Sequence, residues 1–94
     1  MSLYLISYDV SSDKRRSRVA KTLESHGLRV QYSVFECELS DRTLERLLAR
    51  LGDLIDQSTD SVRAYLLCAR CRCGAQVVGR GPIVPTERAG VAVV

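Results

Sequence analysis

Apolar positions change their spacing five times along this chain, and each change marks an element. Leu3-Tyr4-Leu5-Ile6-Ser7-Tyr8 is a dense apolar and aromatic run, the pattern of a central strand buried on both faces. Ser11 and Ser12 are natural helix N-caps and Asp13 suits the positive end of a helix. Val19, Ala20 and Leu23 then recur at helical spacing, and Gly27 suits the position after a helix, so a helix is expected over Asp13 to His26. From Arg29 to Leu39 the apolar positions alternate but change phase. Val30, Tyr32 and Val34 share one face, whereas Phe35, Cys37 and Leu39 share the other, which predicts a bulge or a break between two short strands. Ser40 opens a second helix with Leu44, Leu47, Leu48, Leu51 and Ile55 in one stripe. After a polar loop from Asp56 to Ser61, Val62 to Ala69 reads as a last strand with Val62, Ala64, Leu66 and Cys68 on its core side.

The resulting order, β-α-β-β-α-β, predicts an α+β, ferredoxin-like domain in which two helices cover one face of an antiparallel sheet and leave the other open. We place this domain at 1–78. The remainder, 79–94, is rich in Gly and Pro. With the β-prone runs Gln76 to Val78 and Gly90 to Val94, the tail could lend an additional C-terminal strand to its own sheet or exchange it with a neighbouring subunit.

Size sharpens the expectation of an open face. Ninety-four residues form one small domain with a limited core, so a homodimer covering that face is expected. A hydrophobic content of 46% with 27% charged residues excludes the disordered class. Net charge is only +3, yet five of the fourteen basic residues lie between Lys14 and Lys21, making the field local. Met1-Ser2-Leu3-Tyr4 has no charged leader, and the apolar run meets Asp9 too soon for a signal peptide or membrane span; a cytoplasmic protein is expected. In that compartment Cys37, Cys68, Cys71 and Cys73 are expected as reduced thiols or metal ligands, and no disulfide framework is needed.

Two features carry candidate chemistry. Asp9, at the tip of the first strand, could ligate Mg²⁺ through one oxygen while waters complete the octahedron, or could instead bond the backbone of Ser11 or Ser12 in a turn. One acid makes a poor metal site, so the metal reading requires a two-fold axis that brings in a second Asp9. The basic helix after it, with Lys14, Arg15, Arg16, Arg18 and Lys21, suits phosphate contacts, which are independent of sequence and sensitive to salt; an ordinary solvated helix face is the alternative. Cys68-Ala69-Arg70-Cys71 and Cys73 have zinc-like or redox-like spacing, but a fourth ligand would have to be the distant Cys37 or His26. His26 itself, beside the helix end, suits a dipole partner. The chain contains no nucleophile-elbow, Walker or dinucleotide fingerprint.

Three segments, Tyr4-Leu5-Ile6-Ser7-Tyr8-Asp9-Val10, Asp13-Lys14-Arg15-Arg16-Ser17-Arg18-Val19 and Gly27-Leu28-Arg29-Val30-Gln31-Tyr32-Ser33-Val34-Phe35-Glu36, resemble the CRISPR-associated protein 2 family, and Asp60 to Tyr65 resembles it more weakly. The resemblance implies a homodimer that works with a companion integrase to insert spacers into a CRISPR array and that in some members is a metal-dependent nuclease. By position, Asp9 matches the family's metal-binding aspartate and Tyr8 its neighbour in the active-site cleft. Arg16 and Arg18 match basic positions of the first helix, Arg29 a basic position entering the second strand, and Phe35 the aromatic of the Ser-Val-Phe segment. The expected function is therefore binding of duplex DNA by a dimer, with Mg²⁺-dependent cleavage of DNA or single-stranded RNA. A non-catalytic DNA-bridging adaptor is the alternative on the same fold, and a cysteine-based metal or redox module the alternative of another class.

Overall fold

The computed structural model describes residues 1–67 together with Gln76 and Val78. Six elements follow the expected order: β1 Ser2–Asp9, α1 Asp13–Glu24, β2 Leu28–Gln31, β3 Val34–Leu39, α2 Asp41–Leu54 and β4 Ser61–Leu67. They form one antiparallel sheet in the order β2-β3-β1-β4, with both helices on one face: the ferredoxin-like arrangement. Cys68, Cys71, Cys73 and the tail lie outside the described residues, as does the end of the predicted last strand.

Both helices start where serine chemistry places them. The Ser12 hydroxyl accepts from the Arg15 amide at 3.3 Å, and the Ser40 hydroxyl accepts from the Thr43 amide at 3.2 Å, each satisfying an amide that the first helical turn leaves without a partner. The helix α1 ends at Glu24, two residues short of the expected His26, because Ser25, His26 and Gly27 turn the chain towards β2.

Gly27 serves a different purpose from the one its place in the sequence suggests. Its backbone has no left-handed torsion, but a Cβ there would lie 2.3 Å from the Glu36 carbonyl oxygen and 2.5 Å from Cys37 Sγ. Glycine is required because the chain leaving α1 lies directly against β3.

The phase change predicted in the middle of the chain is a hairpin break: Tyr32 and Ser33 form the turn, and the β2–β3 register shifts between Arg29 and Gln31. Tyr4, Ile6 and Tyr8 of β1, Phe35, Cys37 and Leu39 of β3, Val19, Ala20 and Leu23 of α1, and Leu47 and Leu51 of α2 make the core between sheet and helices. Val62 and Ala64 pack against it, while Leu66 on the same edge strand is 62% exposed. Alternation places Leu5, Ser7 and Asp9 on the opposite face, in register with Tyr65, Arg63 and Ser61 of β4, and Val34 joins them from β3. That face carries partly exposed apolar side chains, including Tyr65 at 47%.

Candidate functional site

Strand alternation separates the two residues that the sequence places side by side. Asp9 ends β1 exposed, on the face away from the helices, and its carboxylate takes no hydrogen bond or ion pair from any described residue. Tyr8 points the other way into the core, 5% exposed, with its hydroxyl 3.4 Å from the Tyr32 carbonyl oxygen that accepts from it. Burial, only partly offset by the charge of Arg29, raises the phenol above its ordinary range. At neutral pH Tyr8 is therefore a proton-bearing donor.

The turn role that Asp9 could have taken belongs to Asp60. This buried carboxylate accepts from the Ser11 amide and hydroxyl, both at 3.1 Å, from the Asp56 amide at 2.9 Å and from the Thr59 hydroxyl at 3.1 Å. It also pairs with Arg15, Nε to Oδ2 at 2.8 Å. The Arg15 guanidinium, first among these donors, holds the Asp60 carboxyl well below the usual carboxylate range. The cluster ties the β1–α1 loop, the first turn of α1 and the start of β4 together directly behind the tip that presents Asp9. Arg15, grouped in the sequence with the phosphate-binding cations, spends its guanidinium on this internal pair.

The remaining basic residues of α1 divide by azimuth. Arg16 donates to the Val10 carbonyl oxygen at 2.7 Å and pairs with Asp13. With Tyr8, Ser17, Ala20, Arg29 and Tyr32 it lines a cleft of about 150 Å³. Arg29 lies across the ring of the fully buried Phe35, with its guanidinium carbon 5.2 Å from the ring centroid, and its outer edge is 3.8 Å from Glu24. Phe35 thus supports the arginine from below by a cation–π contact and has no exposed surface of its own. Arg18 lies on another side of α1, towards α2, and Lys14 is exposed near the start of the helix. Of the residues expected at the site, the structure brings Tyr8, Arg16, Arg29 and Phe35 together. Asp9, Arg15, Arg18 and Lys14 lie apart from that cleft.

Among the described residues no three His, Cys, Asp or Glu side chains are grouped to hold a metal, so one protomer offers Asp9 alone at the tip. Cys37 is enclosed in the core, and burial pushes its thiol up to about 11, which makes it a packing residue. Among the described residues no helix is long and apolar enough to cross a membrane.

The family model described as CRISPR associated protein Cas2 matches residues 1–73. The chain belongs to the Cas2 family. It is 49% identical over 86 residues to the CRISPR-associated endoribonuclease Cas2 1 of Chloroflexus aurantiacus, covering 90% of this chain and 92% of that one. Its fold matches the crystal structure of Streptococcus pyogenes Cas2 with a TM-score of 0.74 and 36% identity, covering 82% of this chain and 99% of that one. It also matches a chain of a partial Cas6-RT-Cas1–Cas2 complex with a TM-score of 0.71 and 32% identity, covering 90% of this chain and 99% of that one. For this Cas2-family chain, the matched span contains every described element.

Proposed function

We propose that this protein acts in CRISPR adaptation as a homodimer that binds nucleic acid and works with a companion integrase, and that it hydrolyses phosphodiesters with Mg²⁺. Membership of the Cas2 family, the endoribonuclease name of a 49%-identical relative and the Cas1–Cas2 complex that contains a structural relative support the first part. The observation that carries the second is Asp9: a carboxylate at a strand tip, exposed and without a partner among the described residues, on the sheet face not covered by helices.

One carboxylate is a thin donor set, and it fits Mg²⁺ only if a second copy covers the open face and adds its own Asp9. When bound there, Mg²⁺ would polarise a phosphodiester oxygen or lower the pKa of a water. The residues of the chain do the rest. Arg16 and Arg29 hold phosphate charge in the cleft beside the fold's edge, Tyr8 keeps its proton and can donate to a phosphate oxygen, and the Asp60–Arg15 cluster fixes the loop behind Asp9. Leu5, Val34, Tyr65 and Leu67 supply apolar surface for the second copy.

A second reading, a DNA-bridging adaptor without catalysis, is favoured by one specific observation: Tyr8, Arg16 and Arg29 lie on the helix side of the sheet and Asp9 on the other. The test is cleavage of single-stranded RNA and duplex DNA with Mg²⁺ and with a chelator, for wild type and Asp9→Asn. Cleavage that needs both the metal and Asp9 supports the enzyme. Binding without cleavage supports the adaptor.

A further inference from the structure

Away from Asp9 and from the Tyr8 cleft, the two helices enclose a second basic surface. Arg18, Lys21, Thr22, Ser25 and His26 of α1 and its following turn, with Arg50 and Leu54 of α2, line a cavity of about 520 Å³. A neighbouring cavity of about 340 Å³ is lined by His26, Thr43, Arg46, Leu47 and Arg50. Because His26 and Arg50 belong to both, the two form one groove running along α2. None of the residues lining it is acidic.

Its four cations are unspent. Among the described residues Arg18, Lys21, Arg46 and Arg50 take part in no ion pair, whereas Arg15, Arg16 and Arg29 each have an acidic partner. Arg46 and Arg50 stand four residues apart on one helix, and Arg18 and Lys21 three apart on the other, spacings at which like charges repel. The arrangement lowers the stability of the free protein slightly and favours an anion that bridges the helices. His26 lines the groove without adding a fixed charge: its Nδ1 donates to the Thr22 carbonyl oxygen at 3.0 Å. The hydroxyls of Thr22 and Ser25 are already engaged with backbone carbonyls, so the free groups of the groove are its cations. No aromatic side chain lines it for a base to stack on.

We propose that this groove is a second phosphate track, which binds nucleic-acid backbone without reading its sequence, in addition to the contacts of Arg16 and Arg29. The groove holds charge without stacking platforms, which suits phosphates rather than bases. The proposal rests on the reading that this protein handles nucleic acid. It adds a location that the family match does not supply.

The experiment compares wild type, Arg46→Glu/Arg50→Glu and Arg46→Lys/Arg50→Lys by anisotropy of a fluorescein-labelled single-stranded oligonucleotide across a salt series, with circular dichroism and Tm as folding controls. Poly-L-glutamate is the second probe. Charge reversal should weaken oligonucleotide binding roughly tenfold or more at low salt and lower the log–log salt slope by about 1.4, two phosphates at about 0.7 each, while the lysine pair keeps both. Equal affinity and slope for a folded charge-reversed variant would overturn the groove and leave the general nucleic-acid reading intact. Loss of poly-L-glutamate binding alone would assign the groove to an acidic protein surface and also overturn the proposal. A wild type that binds no oligonucleotide at low salt would remove both readings together.

Discussion

Arg15 Nε and Asp60 Oδ2 meet at 2.8 Å with the carboxylate fully enclosed, and this pair closes the loop on which the strand tip depends. Removing Asp60 would leave the Ser11 and Asp56 amides and a guanidinium without their acceptor in a site closed to water. Asp60→Ala should lower Tm by on the order of 10 °C, read by circular dichroism or scanning calorimetry.

The same carboxylate sets a direction for acid sensitivity. Because its folded pKa is depressed, its contribution is complete above the ordinary carboxylate range and is lost progressively as pH falls through and below that range. Wild type should lose Tm steadily below about pH 5, and Asp60→Asn should show a shallower loss over the same window.

Gly27→Ala offers a purely steric test. The added methyl would meet the Glu36 carbonyl oxygen and the Cys37 sulfur, backbone and buried core that have little room to yield. A destabilisation of about 2–3 kcal/mol is expected by urea unfolding, more than a helix-end glycine in open surroundings would lose. An unchanged midpoint would remove the close-approach explanation.

For Asp9 the expected signature is the opposite of Asp60. With no partner among the described residues, Asp9→Asn should leave stability within about 0.5 kcal/mol of wild type while reducing Mg²⁺-dependent cleavage by roughly two orders of magnitude. Cleavage retained by the variant would assign the activity to other groups.

Cys37 provides a probe of the core. At pH 8 its thiol should alkylate roughly 100-fold more slowly than an exposed cysteine, measured by mass spectrometry of the Cys37 peptide, and should react at the ordinary rate in denaturant. Since the folded thiol keeps its proton up to about 11 while the unfolded thiol releases it nearer 9, stability should fall as pH rises between those values.

Much of this was legible in the residue pattern. The leucine stripe of α2, the two serine caps, the succession of helices and strands and the break near Tyr32 all follow from local spacing, because each is read from neighbours along the chain. What spacing could not supply were contacts across elements. Arg15 was indistinguishable from Arg16 and Arg18 until the sheet brought Asp60 beside it. The available signal was an isolated acid opening a strand, in a segment that already resembled the family. Gly27 was legible as a stop but not as a contact, since its neighbour Glu36 belongs to another strand. Arg46 and Arg50 carry no signal of their own in the sequence, because their importance comes from sharing a groove with Arg18 and Lys21, a relation between two helices. Tyr8 and Asp9 were adjacent in sequence, and the pleat of β1 alone sends them apart.

The division of α1 by azimuth makes its buried stripe, Val19, Ala20 and Leu23, a phasing device. A helix turns about 100° per residue, so one neutral residue inserted between Arg18 and that stripe would rotate every earlier cation past its target. Arg15 would leave Asp60, Arg16 would leave the Tyr8 cleft and Arg18 would leave the groove, with no change in net charge. The protein's basic stretch is thus a set of bearings measured from the buried face of its own helix, and its meaning lies in their angles rather than their number.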